Sequence, residues 1–308
     1  MSVTPQGRKI AIIGASGTLG KPLLSSLLAS SAGHTITAVQ RADATSTFHP
    51  AVRVLRGDLF SESFLASAFA GQDVVVLMPP LPHIISLQEP AVRAAALAGV
   101  PYVFPAEFGP DPFATGLIAE NALLQKKKQI RDLVEELGVG SWVSVVVGPW
   151  TEYGVGFGLW GVDAKARKAT LWKGAEGKAN SASAKHAGEA LAAALSLPEA
   201  ALTKVKNGAI YTPSLRFTQR ELLAAAQKVT GGNWTVEEQD VKDVVKEYEE
   251  GLARGDEDAG HAKFFVTHST EGKGADFEHK IDRELQEKLK TLGLGEETLE
   301  DAIRATLA

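Results

Sequence analysis

The chain has 308 residues, 44% hydrophobic and 22% charged, which suits a folded globular protein of about two domains at ~150 residues each. A net charge of −5 argues against a nucleic-acid coat or a polybasic membrane anchor, both of which need a local surplus of Lys and Arg. There is no cysteine, so disulfide scaffolds, thiolate catalysis, iron–sulfur clusters and cysteine-ligated zinc are excluded together. Residues 1–9 carry no apolar signal segment, and the apolar stretches 73–85 and 140–150 are interrupted by proline or too short for the ~18 residues of a membrane span. The expectation is a cytoplasmic protein with neither membrane nor nucleic acid as partner, while self-association as a homodimer stays open.

Short Val- and Ile-rich runs at 9–13, 35–39, 52–56, 73–77, 102–104 and 142–147 are apolar on consecutive positions, as in strands buried on both faces. Helix-length segments at 21–31, 61–69, 86–98 and 118–137 lie between them, the alternation of an α/β protein with a doubly wound parallel sheet. Between the first strand and the first helix stands Gly14-Ala15-Ser16-Gly17-Thr18-Leu19-Gly20. Without a Cβ, its glycines permit a tight turn, close approach to a pyrophosphate and close helix packing, so a Rossmann-type dinucleotide site is predicted here. Gly14, Ser16, Gly17, Thr18, Leu19 and Gly20 are its candidate cofactor-binding residues.

The second strand ends in Val39-Gln40-Arg41, where a carboxylate would hold an NAD ribose. Arg41 instead offers a planar donor fork to a 2′-phosphate, which points to NADPH; nearby Asp43 keeps an NAD reading open. Asp58, after the third strand, lines the adenine pocket or simply closes a Gly-Asp turn.

Past residue 150 the chain becomes rich in glycine and aromatics, and a second, smaller α+β substrate domain is expected over 153–308, after a dinucleotide-binding domain over 1–152. A segment near 205–230 is expected to return to the first domain, with a strand over 208–213 and a helix opened by the capping box Thr218–Glu221. His186 is expected to begin a helix of the second domain. Residues 237–258 hold ten acidic against three basic residues and read as one acidic helix packed on one side. Trp150, Tyr153, Phe157 and Trp160 form either the wall of an aromatic-lined substrate cavity or ordinary core. No histidine spacing suits a metal, and none is expected.

On the Gly14–Gly20 turn, Pro105-Ala106-Glu107-Phe108-Gly109 after the fifth strand and Lys127-Lys128-Gln129-Ile130-Arg131 in the next helix, the chain resembles the atypical short-chain dehydrogenase/reductases of the NmrA-like and isoflavone reductase-like group. Ala106 departs from that group's pattern, where a serine is usual. None of the four tyrosines has a lysine four residues on, so the Tyr-x-x-x-Lys pair of ordinary members is missing. The resemblance implies a catalytic lysine on the helix after the fifth strand, with Pro79, Glu107, Phe108 and Lys127 joining the cofactor-binding set and His83 lying near the nicotinamide, on the substrate side. Helical periodicity places Lys126 and Lys127 on opposite shoulders of the apolar stripe and Lys128 away from it, without choosing between the first two. The family register chooses Lys127. The implied activity is NADPH-dependent reduction of an aromatic or conjugated small molecule of secondary-metabolite type. A non-catalytic NAD(P) redox sensor that binds a regulatory protein, and an isomerase or cyclase using the cofactor as scaffold, are the alternatives.

Overall fold

The structure, a computed structural model, describes residues 4–308; the first three residues of the N-terminal stretch and the side chain of Glu257 in the acidic run lie outside the described residues. From the N-terminus the chain forms β1 (Lys9–Ile13), α1 (Gly20–Ala29), β2 (Thr35–Arg41), β3 (Val52–Gly57), α2 (Glu62–Phe69), β4 (Val74–Leu77), α3 (Gln88–Leu97) and β5 (Tyr102–Phe104). It continues through α4 (Thr115–Glu120), α5 (Ala122–Leu137), β6 (Ser141–Val146), α6 (Thr151–Gly154), β7 (Val162–Asp163), β8 (Lys168–Lys173), β9 (Ala179–Ser181), α7 (Ala184–Leu195), α8 (Glu199–Leu202) and β10 (Gly208–Tyr211). The last elements are β11 (Leu215–Phe217), α9 (Gln219–Thr230), β12 (Thr235–Asp240), α10 (Val241–Ala253), α11 (Glu257–Ser269), α12 (Arg283–Thr291) and α13 (Leu299–Leu307).

Seven strands form one parallel sheet in the order β10-β6-β5-β4-β1-β2-β3. Its strands are apolar on consecutive residues because helices cover both faces: α1 and α7 on one, α2, α3 and α5 on the other. The order reverses between β1 and β4, and the crevice opened there at the strand C-termini is where such sheets take ligands. β10 pairs in parallel with β6, so the chain does return to the first sheet after residue 205. The Thr218–Glu221 capping box is present at the start of α9. A separate apolar cluster joins the three-stranded sheet β12-β8-β7 to α9, α11 and α13. Among the described residues no helix is long and apolar enough to cross a membrane.

Three expectations need correction. His186 lies on α7, which packs on α1 as part of the main sheet's helical layer, the backbone of Leu23 lying where a Cβ on Gly188 would stand 2.8 Å away. The helix expected over 118–137 is broken at Asn121, whose backbone is extended (φ −123°, ψ 109°) and whose buried amide donates to Leu117 O at 2.8 Å and Thr267 Oγ1 at 3.1 Å. The acidic run begins not as helix but as β12, whose exposed edge tolerates charge on successive residues. Only after Asp240 caps α10 does helical spacing take over.

One buried polar cluster makes stability depend on pH. His34 Nδ1 accepts the backbone N–H of Arg8 at 3.1 Å, so its proton sits on Nε2, 3.0 Å from Ser196 Oγ. Burial, reinforced by the Arg8 charge, lowers its pKa from 6.5 to about 4. The folded state thus favours the neutral ring: this contribution is complete above pH 6.5 and is lost as pH falls towards 4. His34→Gln is expected to flatten that part of the unfolding midpoint against pH, measured by circular dichroism.

Candidate active site

The turn after β1 is shaped by glycines that no other residue could replace. Gly14 has φ +88°, and a Cβ there would stand 2.1 Å from Met78 O, at the end of β4 beside it. A Cβ on Gly20 would meet Gly14 O at 2.3 Å, so α1 seats directly on the turn. Gly17 N–H donates to Gly14 O at 3.0 Å, Leu19 is buried beneath, and Ser16, Gly17 and Thr18 are exposed at the mouth. The first turn of α1 has no acidic residue and no side-chain cap, so nothing offsets the positive end of the helix dipole at the crevice, although Lys21 N–H is already bonded to Gly17 O at 3.1 Å and Pro22 has no N–H. This cradle fits a pyrophosphate.

Arg41 closes β2 with its side chain 70% exposed, 3.6 Å from Asp43, a loose surface pair that leaves the guanidinium accessible. Asp58 is exposed beyond β3, and its Oδ1 accepts Phe60 N–H at 2.9 Å, so it closes a turn. Pro79 follows β4 and is half-buried. His83 is exposed on a short 3₁₀ turn, its ring edge-on to Phe60 at 6.3 Å.

The loop 105–109 is fastened on several sides. Ala106 N–H donates to Gln88 Oε1 at 2.8 Å, while Gln88 Nε2 donates to Ile84 O, so a buried glutamine braces the loop where the family's serine is absent. Trp150 Nε1 donates to Phe108 O at 2.7 Å, and Gly109 O accepts from Val147 and Gly148. Glu107, expected among the cofactor-binding residues, turns its side chain into the protein. Its side chain is only 3% exposed and forms a buried ion pair with Arg131, which also donates to Pro112 O at 2.9 Å. Asp111, buried just beyond, accepts from the Tyr211 hydroxyl at 2.9 Å and pairs with Lys280, tying the loop to β10 and to residues 278–280. Burial and the Asp111 charge push the Tyr211 hydroxyl well above its usual pKa.

On α5, Lys126 is exposed and Lys128 pairs with Asp132 at 2.6 Å. Lys127 is drawn in: its ammonium would lie 3.9 Å from a Cβ on Gly109, and among the described residues it has neither hydrogen bond nor ion pair. Burial lowers its pKa below the lysine value; Glu107 opposes the shift and Arg131 adds to it. A half-buried lysine of lowered pKa is suited to give or take a proton.

Of the aromatic candidates, Trp150, Tyr153 and Phe157 step outward in series, with ring centroids 6.0 and 6.2 Å apart. Tyr153 and Phe157 are 40% and 73% exposed. Trp160 departs from them: it is buried in the second core, edge-on to Phe217 and Phe265, where it serves packing and not a cavity wall. Sequence reasoning missed Gln88 and Asp111, and it saw His268 only as a histidine without metal spacing. No local pattern marks them, because their partners are remote in sequence.

A glycine cradle over the switch point of a parallel sheet is how α/β proteins hold a dinucleotide, and that is the class this fold and crevice define. The chain belongs to the NmrA-like family, whose model matches residues 6–300. It is similar to the oxidoreductase aprR of Aspergillus flavus, 29% identical over 253 residues that span 80% of this chain and 82% of that protein. Among solved structures it resembles isoflavone reductase, with a TM-score of 0.74 at 20% identity over 96% of this chain and 98% of the other. It also resembles AtPrR2 with NADP+ and (+)pinoresinol, with a TM-score of 0.71 at 21% identity over 89% and 91% of the two chains. At these identities the solved structures share the fold.

Proposed function

We propose that this chain is an NADPH-dependent reductase acting on an aromatic or conjugated small molecule. The observation that carries the reading is Lys127, half-buried beside the 105–109 loop with its pKa lowered. The exposed Ser16–Thr18 segment and the positive end of the α1 dipole would hold the pyrophosphate, and Arg41 the 2′-phosphate. When bound, NADPH supplies a hydride to an electrophilic carbon of the substrate. Lys127 supplies the proton that completes the reduction, and its ammonium polarises the accepting oxygen or carbon beforehand. Trp150, Tyr153 and Phe157 offer a stepped aromatic surface for a flat ligand, and isoflavone reductase and the pinoresinol complex of AtPrR2, which share the fold, agree with such a ligand.

The sensor reading draws less support. Much of the acidity of β12 and α10 is already paired: Glu238 with Lys173 and Arg220, Glu249 with Lys263, and Glu250 with Lys246. Calorimetric titration with NADPH, NADP⁺, NADH and NAD⁺ tests the cofactor assignment. NADPH is expected to bind more tightly than NADH, and Arg41→Ala to remove that preference by about tenfold or more, in line with loss of one charge-assisted contact. Equal binding of phosphorylated and unphosphorylated forms by the parent protein would refute Arg41 as the 2′-phosphate reader.

A further inference from the structure

His268 closes α11, remote in sequence from everything described so far, yet α11 packs on α4, and the Thr267 hydroxyl beside it accepts the Asn121 amide that starts α5. That contact brings the last turn of α11 to the start of the helix that carries Lys127. The His268 ring is 1% exposed and lies against Phe264, with centroids 4.3 Å apart. Its Nδ1 stands 2.6 Å from Phe264 O. A carbonyl can only accept, so the ring proton resides on Nδ1 and Nε2 carries the lone pair. That Nε2 is buried and has no hydrogen-bond partner. A buried acceptor without a partner is costly and calls for a donor. Lys127, whose own donors have no partner among the described residues, is the cation that bears on the ring.

We propose that His268 is a positioning residue for Lys127: in the cofactor-loaded protein its Nε2 lone pair accepts a hydrogen bond from the Lys127 ammonium, and so aims the remaining N–H donors at the substrate. This rests on the reading of Lys127 as the proton donor. The arrangement requires a ring that stays neutral, and burial, with a smaller push from the Lys127 charge, lowers the pKa of His268 to about 4. The charged groups acting on Lys127 are Glu107 from the loop after β5 and Arg131 from its own helix, and these two are paired with each other. His268 is thus the unengaged acceptor on the third side.

The test is the titration of Lys127 in the full-length protein, followed by carbon-13 NMR of labelled lysine, with its resonance assigned by loss in Lys127→Met and the protein saturated with NADPH. An acceptor for the ammonium favours the charged form, so His268→Phe is expected to lower the Lys127 midpoint by about one pH unit. His268→Gln, which keeps an acceptor, is expected to restore most of the shift. An unchanged or raised midpoint in His268→Phe, or an equal fall in both variants, would overturn the proposal, the latter by showing that only packing matters. Should His268→Phe not fold, the nitrogen-15 resonance of His268 Nε2 is compared between the parent and Lys127→Met. A move towards the free, unprotonated position in Lys127→Met supports the contact, and an unmoved resonance overturns it. Neither measurement requires turnover, so failure of the reductase reading would be seen separately, as absent NADPH oxidation with the titration intact.

Discussion

Replacing Lys127 with methionine is expected to lower kcat about 10²–10⁴-fold, the usual cost of removing a general acid, on whichever substrate the parent protein is found to turn over with NADPH. Methionine keeps the length and the apolar stem of lysine, so affinity for NADPH in calorimetry is expected to change little. The same residue sets the pH dependence. With Lys127 as the proposed proton donor, activity should be lost as pH rises through its pKa. Burial places that pKa below the ordinary lysine value, and the basic limb of the kcat profile should fall correspondingly early. A variant that retains turnover within a few-fold of the parent would remove Lys127 from the chemistry. Substitution of Lys126, which is exposed, should leave the profile in place.

The second large effect is on stability. Glu107→Ala leaves the Arg131 guanidinium, 6% exposed, without its carboxylate, and breaking a buried pair from one side costs about 3–5 kcal/mol. Urea unfolding followed by fluorescence should show that loss as a lower midpoint at unchanged slope. Combining Glu107→Leu with Arg131→Met removes both charges and should be far less damaging than the sum of the two single changes, because no buried charge then lacks a partner. A double variant as unstable as that sum would mean the two residues act independently. Glu107 also sustains the charge of Lys127, so its loss should move the basic limb of activity to still lower pH in any Glu107 variant that folds.

The structural role of Glu107 shows where sequence reading stops. The motif around it was legible through the resemblance to the NmrA-like group. Its partner is another matter: Arg131 lies 24 residues away, and only the packing of α5 against the sheet closes that distance. Trp160 makes the same point from the other side. Its neighbourhood of glycines and aromatics suits a ligand cavity as well as a core, and the choice fell to Phe217 and Phe265, which meet it edge-on from other elements.

What the sequence by itself determined is the local physics. Strands buried on both faces must be apolar throughout, so the sheet strands declare themselves; a positive φ beneath a neighbouring carbonyl admits only glycine, so the phosphate turn does too. The Thr218–Glu221 box starts a helix wherever it stands, because its two side chains satisfy N–H groups within three residues. The tertiary structure alone decided that α7 covers the main sheet and that Asn121 divides a helix. Each of these depends on a partner 26 to 146 residues distant or on a face chosen by packing, and the energy of such contacts exists only once the chain has folded.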